Sequence, residues 1–199
     1  MSAITFKMPR WYLKTKSRYR RASAILERIA PLTKPVGCEI GVRRADMSSI
    51  LLEEKPDLFL VMVDSWEGGG RAYTVTEGEG VATYSDEKQE TNYRTALAVT
   101  EFASARRKVC RMRSAEAAAQ FPDRHFDFVF IDADHSYEGC KADIAAWEAK
   151  VKPGGWLCGH DYDNTHHPEF GVKRAVDEYC AARGLVLETG GNFTWFART

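Results

Sequence analysis

Two carboxylates and an imidazole stand within four residues of each other, at Asp132, Asp134 and His135, directly behind the apolar run 126–131. A second acid–imidazole pair, His160-Asp161, closes the run 156–159, and single acids sit at the ends of two more runs, at Glu39 and Asp64. Carboxylates with an imidazole can hold a divalent cation. An imidazole with an ordinary pKa of ~6.5 can also take or give a proton near neutrality. A lone acid at the end of an apolar run often marks only where burial stops. Four such ends are harder to dismiss, because in a parallel sheet they all lie on one edge.

The elements that must carry these residues follow from the hydrophobic pattern. Short continuous apolar runs at 36–41, 58–64, 126–131 and 156–159 read as strands buried on both faces, with a weaker strand at 108–112. Between them, helical spacing appears at Ala22, Ile25, Leu26, Ile29, then at Met47, Ile50, Leu51. Ser85 is placed to cap a helix reaching about Ala105, with Asp86 and Glu87 in its first turn, and a short Ala-rich helix starts at Ser114. Tyr137, Cys140, Ile144, Trp147 and Val151 define a further helical face, and Val172, Ala175, Val176 and Tyr179 a last one. Ser136 reads as a helix cap, and Pro153-Gly154-Gly155 as a turn. The segments 185–188 and 193–196 read as a hairpin joined at Gly190-Gly191. Strands alternating with helices predict an α/β, Rossmann-like three-layer sandwich. Its seven-stranded sheet is mainly parallel, with one antiparallel strand from the C-terminal hairpin. The carboxyl ends of such strands open onto a crevice.

No domain boundary is visible, so residues 1–199 read as one domain, with a basic arm and helix at 1–35 and a Gly/Thr/Glu-rich lid loop at 66–84. The formal charge of zero argues against a general polyanion binder. The arm nevertheless holds Lys7, Arg10, Lys14, Lys16, Arg18, Arg20 and Arg21 without an acid, interleaved with Phe6, Trp11, Tyr12 and Tyr19. It could touch phosphates, but an amphipathic arm laid over the domain is the favoured reading, and nucleic acid the disfavoured partner. Five cysteines, an odd number without CxxC spacing, favour small hydrophobes in a reducing, cytoplasmic setting. No apolar run approaches the ~20 residues of a membrane span, and the basic start is not followed by a signal-type core.

Asp64 lies 23 residues after Gly41, near the ~20-residue gap at which an acid after the second strand meets a ribose. Yet Gly41-Val42-Arg43-Arg44-Ala45-Asp46 lacks the second glycine that lets a backbone approach a pyrophosphate. A nucleoside without phosphates fits better, and the acids suit one bearing positive charge. Ser65 and Trp66 follow Asp64, and the indole offers a flat face for an adenine.

Glu39-Ile40-Gly41, Asp64, Ile131-Asp132-Ala133-Asp134-His135-Ser136-Tyr137, Lys152-Pro153-Gly154-Gly155 and Gly159-His160-Asp161-Tyr162 together resemble class I S-adenosylmethionine-dependent methyltransferases. The nearest branch is the small macrocin-type sugar O-methyltransferase group. The chain is more distantly similar to catechol and caffeoyl-CoA O-methyltransferases. The resemblance covers about residues 36–182 and implies S-adenosylmethionine as cofactor. By it, Glu39 and Gly41 border the methionine portion, Asp64 grips the ribose, and Arg113 and Ser114 border the adenine. Asp132 serves both the cofactor and a divalent metal, Mg²⁺ or Mn²⁺, whose other ligands fall at His160 and Asp161. His135 takes the place of a catalytic lysine. Two departures stand out. Arg43 and Ala45 replace glycines, which would set the first loop further from its ligand. His160 replaces an acid, which tilts the metal toward Mn²⁺ or another transition metal, or leaves Asp132 and Asp161 alone to hold it.

The implied reaction is in-line methyl transfer to a hydroxyl oxygen of a small sugar or phenol, with His135 as the base and Asp132 in the catalytic centre. Two other functions fit the chain: a nucleic-acid methyltransferase using the basic arm, and a non-catalytic S-adenosylmethionine-binding domain. The acceptor, the metal and the oligomeric state, a homo-oligomer included, stay open at this level.

Overall fold

The computed structural model describes residues 16–68 and 85–199, with side chains from Tyr19 onward. The readings placed on residues 1–15 of the basic arm and on most of the lid, 69–84, lie outside the described residues. The chain runs α1 (Lys16–Ile29), β1 (Val36–Ile40), α2 (Asp46–Glu54), β2 (Phe59–Asp64), α3 (Asp86–Val99), β3 (Arg107–Arg111) and α4 (Ser114–Ala118). It continues through β4 (Phe126–Ile131), α5 (Tyr137–Trp147), β5 (Val151–Gly159), α6 (Val172–Arg183), β6 (Leu187–Gly190) and β7 (Thr194–Arg198).

The seven strands form one sheet in the order β3-β2-β1-β4-β5-β7-β6. Pairings from β3 to β5 are parallel, while β7 runs antiparallel to both β5 and β6. Continuous apolar runs are what such a sheet requires, because helices cover both faces. Ala22, Ile25 and Ile29 of α1 and Met47 to Leu52 of α2 pack with Phe128 and Phe130 on one face. Ile144 and Trp147 of α5 and Val172 and Val176 of α6 pack with Val129 and Ile131 on the other. Alternate residues of β4 thus serve opposite cores. All five cysteines are buried and free inside this packing, and burial pushes the Cys140 thiol up to about 12.

Three expected boundaries shift. The helix read as reaching Ala105 ends at Val99, and Glu101–Arg106 continue as 3-10 turns with a non-helical Ala103. Pro153-Gly154-Gly155 is not a turn before β5 but lies within it, where the pairing with β4 slips between Phe126 and Phe128. A bulge accommodates a proline and two glycines at the start of a strand without ending it. The first strand of the hairpin begins at Leu187, and its partner at Thr194. The Ser136 and Ser85 caps form as read, with Ser136 Oγ accepting from Gly139 N at 3.0 Å and Ser85 Oγ from Lys88 N at 3.2 Å.

Strand order reverses between β1 and β4, whose carboxyl ends carry the site. There Asp132 N donates to Ile40 O at 2.8 Å, and Gly41 N donates to Val63 O at 2.9 Å. Gly41 has φ 89°, and a Cβ on it would lie 2.0 Å from Asp132 O. Only glycine permits the two strand ends to meet so closely.

Candidate active site

The crevice has two halves. On the β1–β2 side, Asp64 ends β2 with Oδ2 accepting from Arg43 N at 2.7 Å and Oδ1 from Trp66 N at 2.8 Å. Burial raises its pKa, and the backbone donors offset only part of that rise. The Val42 and Ser65 backbone N–H groups also act on this carboxylate. The loop after β1 reaches Asp64 through left-handed backbone at Gly41, Arg43 (φ 52°) and Ala45 (φ 60°). Arg43 and Ala45 therefore adopt the conformation that favours glycine, which costs of order 1–3 kcal/mol for each such residue. Trp66 is 2% exposed, packs on Tyr93 with ring centroids 4.9 Å apart, and donates from its indole to Arg43 O at 2.7 Å. It anchors the turn that feeds Asp64. Ser65 and Trp66 also line a cavity of about 550 Å³ with Glu67, Glu90 and Arg111.

Glu39 sits one residue before the end of β1 and is 3% exposed, with the Ser48 hydroxyl of α2 donating to it. Burial raises its pKa to about 8, and the Ser48 bond opposes that only in part. Ser114 lies at the first turn of α4, where its hydroxyl accepts from the Trp147 indole at 2.9 Å. Arg113 reaches across to Glu67, Nη2 to Oε2 at 3.1 Å.

On the β4–β5 side the side chains close into a charged network. His135 Nε2 lies 3.3 Å from Asp132 Oδ1 and 3.0 Å from Asp161 Oδ2. His160 Nδ1 lies 2.9 Å from that same Asp161 oxygen and 3.5 Å from Asp132 Oδ1. Arg21 of α1 donates to the other Asp132 oxygen. Burial acts against every charge here, but contact outweighs it. Arg21 and the two imidazoles hold Asp132 far below the usual carboxylate range, and the imidazoles do the same for Asp161. The carboxylates in turn hold His160 up and His135 at about 10. An imidazole so held carries its proton at neutrality, so the expectation of an ordinary ~6.5 for His135 does not describe this state.

Ligand atoms of Asp132, His135 and Asp161 lie within 4.8 Å of one another. Two carboxylates and one imidazole make a donor set suited to a divalent cation. The converging imidazole is that of His135, while His160 uses Nε2 against the Asn192 amide at 2.6 Å. Asp134 stands aside from the cluster. Its Oδ1 accepts from Ser136 N at 2.9 Å and from Ser136 Oγ at 2.6 Å, fixing the start of α5.

Sequence reasoning missed two members of the network. Arg21 looked like one cation among many in a basic arm. Asn192 occupies the hairpin turn with φ 60°, a conformation asparagine tolerates. The Gly190-Gly191-Asn192 run signalled the turn but not its contact with His160.

Beyond His135 the network opens into a second cavity of about 510 Å³, lined by Asp161, Asn164, His167, Phe170, Lys173 and Glu178 among others. The Phe170 ring stacks between His135 and His167, with centroids 4.6 Å from each. His166 and His167 are exposed.

Comparison with known proteins bears on the family and the fold. A family model described as a methyltransferase domain matches residues 36–162. Among solved structures, the O-methyltransferase NovP superposes with a TM-score of 0.64 at 18% identity, covering 90% of this chain and 79% of that one. The calicheamicin methyltransferase CalS11 gives 0.64 at 15% identity, with 89% and 77% covered. Spermidine synthase from Thermotoga maritima gives 0.59 at 14%, with 92% and 60% covered. At these identities the likeness is one of fold. No curated protein matches the chain by sequence.

Proposed function

The chain belongs to the methyltransferase domain family, and on that premise we propose that it methylates a hydroxyl oxygen of a small, ring-shaped acceptor, a sugar or a phenol. S-adenosylmethionine is the donor, supplying an electrophilic methyl group on a positively charged sulfur. The observation that carries the reading is the meeting of Asp132, His135 and Asp161 at the strand ends, two strands across from Asp64.

Each residue then has a task. Asp64 accepts the ribose hydroxyls at the end of β2. Asp132 presents negative charge toward the cationic part of the donor, and Glu39, raised to about 8 by burial, would gain charge as that cation draws off its proton. The cavity beside Phe170 receives the acceptor. Its aromatic rings suit the C–H face of a sugar, and its carboxylates, amide and lysine suit hydroxyl groups.

In the transfer, the acceptor oxygen forms a bond to the methyl carbon as the carbon–sulfur bond breaks, and the bonding pair leaves on a now neutral sulfur. The hydroxyl proton must depart as well. His135 can receive it only from its neutral form, and the two carboxylates beside it hold that form back. A divalent cation on Asp132 and Asp161 would polarise the hydroxyl and offset the carboxylate charge that keeps His135 protonated. Holding donor and acceptor in line accounts for much of the rest, since such orientation can supply ~7–11 kcal/mol.

The test is calorimetric binding of S-adenosylhomocysteine to the native chain and to Asp64→Ala. Transfer of labelled methyl from S-adenosylmethionine to a panel of sugars, nucleotide sugars and phenols follows, with Mg²⁺, Mn²⁺ or chelator. Uptake lost in Asp64→Ala, and label appearing in one acceptor class, are expected. Native protein that binds no S-adenosylhomocysteine would refute the reading, and binding without transfer to any member of the panel would reduce it to a non-catalytic domain.

A further inference from the structure

We infer that Arg21, brought in by the N-terminal helix, is the residue that recognises the α-carboxylate of the methyl donor. The inference rests on the donor reading above and adds a recognition contact to it. Three observations carry it. Arg21 comes from α1, on the far side of the sheet from α5, yet its guanidinium reaches Asp132 at the end of β4. Its side chain is only 19% exposed, and its Nε–H is buried with no hydrogen-bond partner. Its charge also acts on Glu39 of β1, against the rise that burial causes there.

The chemistry of the ligand explains the rest. An amino-acid tail carries one ammonium and one carboxylate. Asp132 offers the negative charge an ammonium needs, but it repels a carboxylate. A guanidinium presents several N–H donors in a planar fork that matches a carboxylate in two bonds at once. One Arg21 nitrogen is engaged with Asp132, while the neighbouring Nε–H points to no acceptor. A buried donor left unsatisfied is costly, and a bound carboxylate would relieve that cost.

Register supports the placement. With the ribose at Asp64 on β2, the tail must cross β1 to reach Asp132 on β4, which at ~4.8 Å per strand is about 10 Å. The ribose and an extended homocysteine arm together span such a distance, and the carboxyl end then arrives under α1. Asp132 would meanwhile exchange part of its contact with Arg21 for the ligand's ammonium, so the total charge in the crevice stays balanced.

The experiment compares S-adenosylhomocysteine with its decarboxylated analogue, S-adenosyl-3-thiopropylamine, by calorimetry on the full chain. The native protein is expected to bind the first at least tenfold more tightly. Arg21→Gln should weaken S-adenosylhomocysteine by about 10–100-fold while leaving the analogue within about twofold. Arg21→Lys, which keeps the charge but not the fork, should fall between the two. Equal loss of both ligands, or loss of neither, would overturn the assignment and leave Arg21 as a partner of Asp132 alone. Should Arg21→Gln not fold, Arg21→Lys and the native preference decide, and equal native affinity for the two ligands refutes the inference. A native protein that takes up neither ligand fails the donor reading itself, and Arg21 with it.

Discussion

The two halves of the crevice use the same residue types and reach opposite electrostatic states. Glu39 and Asp64, on the β1–β2 side, are held by a serine hydroxyl and by backbone N–H groups, and burial moves both pKa values up. Asp132 and Asp161, on the β4–β5 side, touch imidazoles and, for Asp132, a guanidinium, and both are driven down. The difference is a cation within contact distance. Neutral dipoles soften the cost of burying a carboxylate but do not cancel it, whereas a contacting charge reverses it. The first half is short of positive charge, which a sulfonium donor would bring. The second already holds its own.

The largest effect that would break this contrast is expected from Asp132→Asn. Removing the shared carboxylate leaves Arg21, His135 and His160 facing one another, at about 3–5 kcal/mol for a broken buried pair. Urea unfolding measures the loss. NMR titration of His135 should show its pKa falling from about 10 toward the ordinary imidazole value of 6.5. An unchanged His135 titration would mean that Asp161 alone holds the proton.

Gly41→Ala acts at the seam between the halves. Its Cβ would meet Asp132 O at 2.0 Å with φ at 89°, so one strand end must move. A stability loss of roughly 2–4 kcal/mol is expected, together with loss of S-adenosylhomocysteine uptake in the fraction that folds. Native-like binding by that variant would show that the strand ends need not meet.

The pH dependence separates the halves more gently. Glu39 is raised to about 8 from 4.5, so its contribution is complete below about 4.5 and declines as pH rises through about 8. His135 is raised to about 10 from 6.5, so its contribution is complete below about 6.5 and is lost as pH climbs through about 10. Asp132 and Asp161 work the other way, stabilising above the ordinary carboxylate range and failing only in strong acid. In chelator, the melting temperature should therefore fall by several degrees between pH 5 and 10. Glu39→Gln should flatten the lower part of that fall, and His135→Gln the upper part. If either variant flattened the other's window, the pKa values would be assigned to the wrong half.

The smallest expected effect is that of Trp66→Phe, which removes the indole donor to Arg43 O, a contact of 2.7 Å. About 1 kcal/mol of stability should go with a typical hydrogen bond, and donor affinity should drop a few-fold as the turn around Asp64 loosens. A variant with native affinity would show that the Asp64 backbone donors hold without their anchor.

Much of this architecture was legible before any coordinates. Runs such as 128–131 are apolar on both faces because both faces are covered, and a period that lacks alternation says so directly. The Ser136 cap, the buried cysteines and the acids at four strand ends were readable for the same reason, since each depends on its immediate neighbours. The 153–155 turn misled, because a bulge and a turn use the same residues and differ only in what the neighbouring strand does.

What the amino-acid order determined alone was therefore the set of strands, their acidic tips and the edge on which they gather. What tertiary structure alone decided was the company those tips keep. Arg21 is separated from Asp132 by 111 positions, and Asn192 from His160 by 32. Local pattern carries no trace of such pairings. Yet a carboxylate's charge state depends on which group folding brings within about 3 Å of it, because electrostatic energy follows distance in space and not separation along the chain.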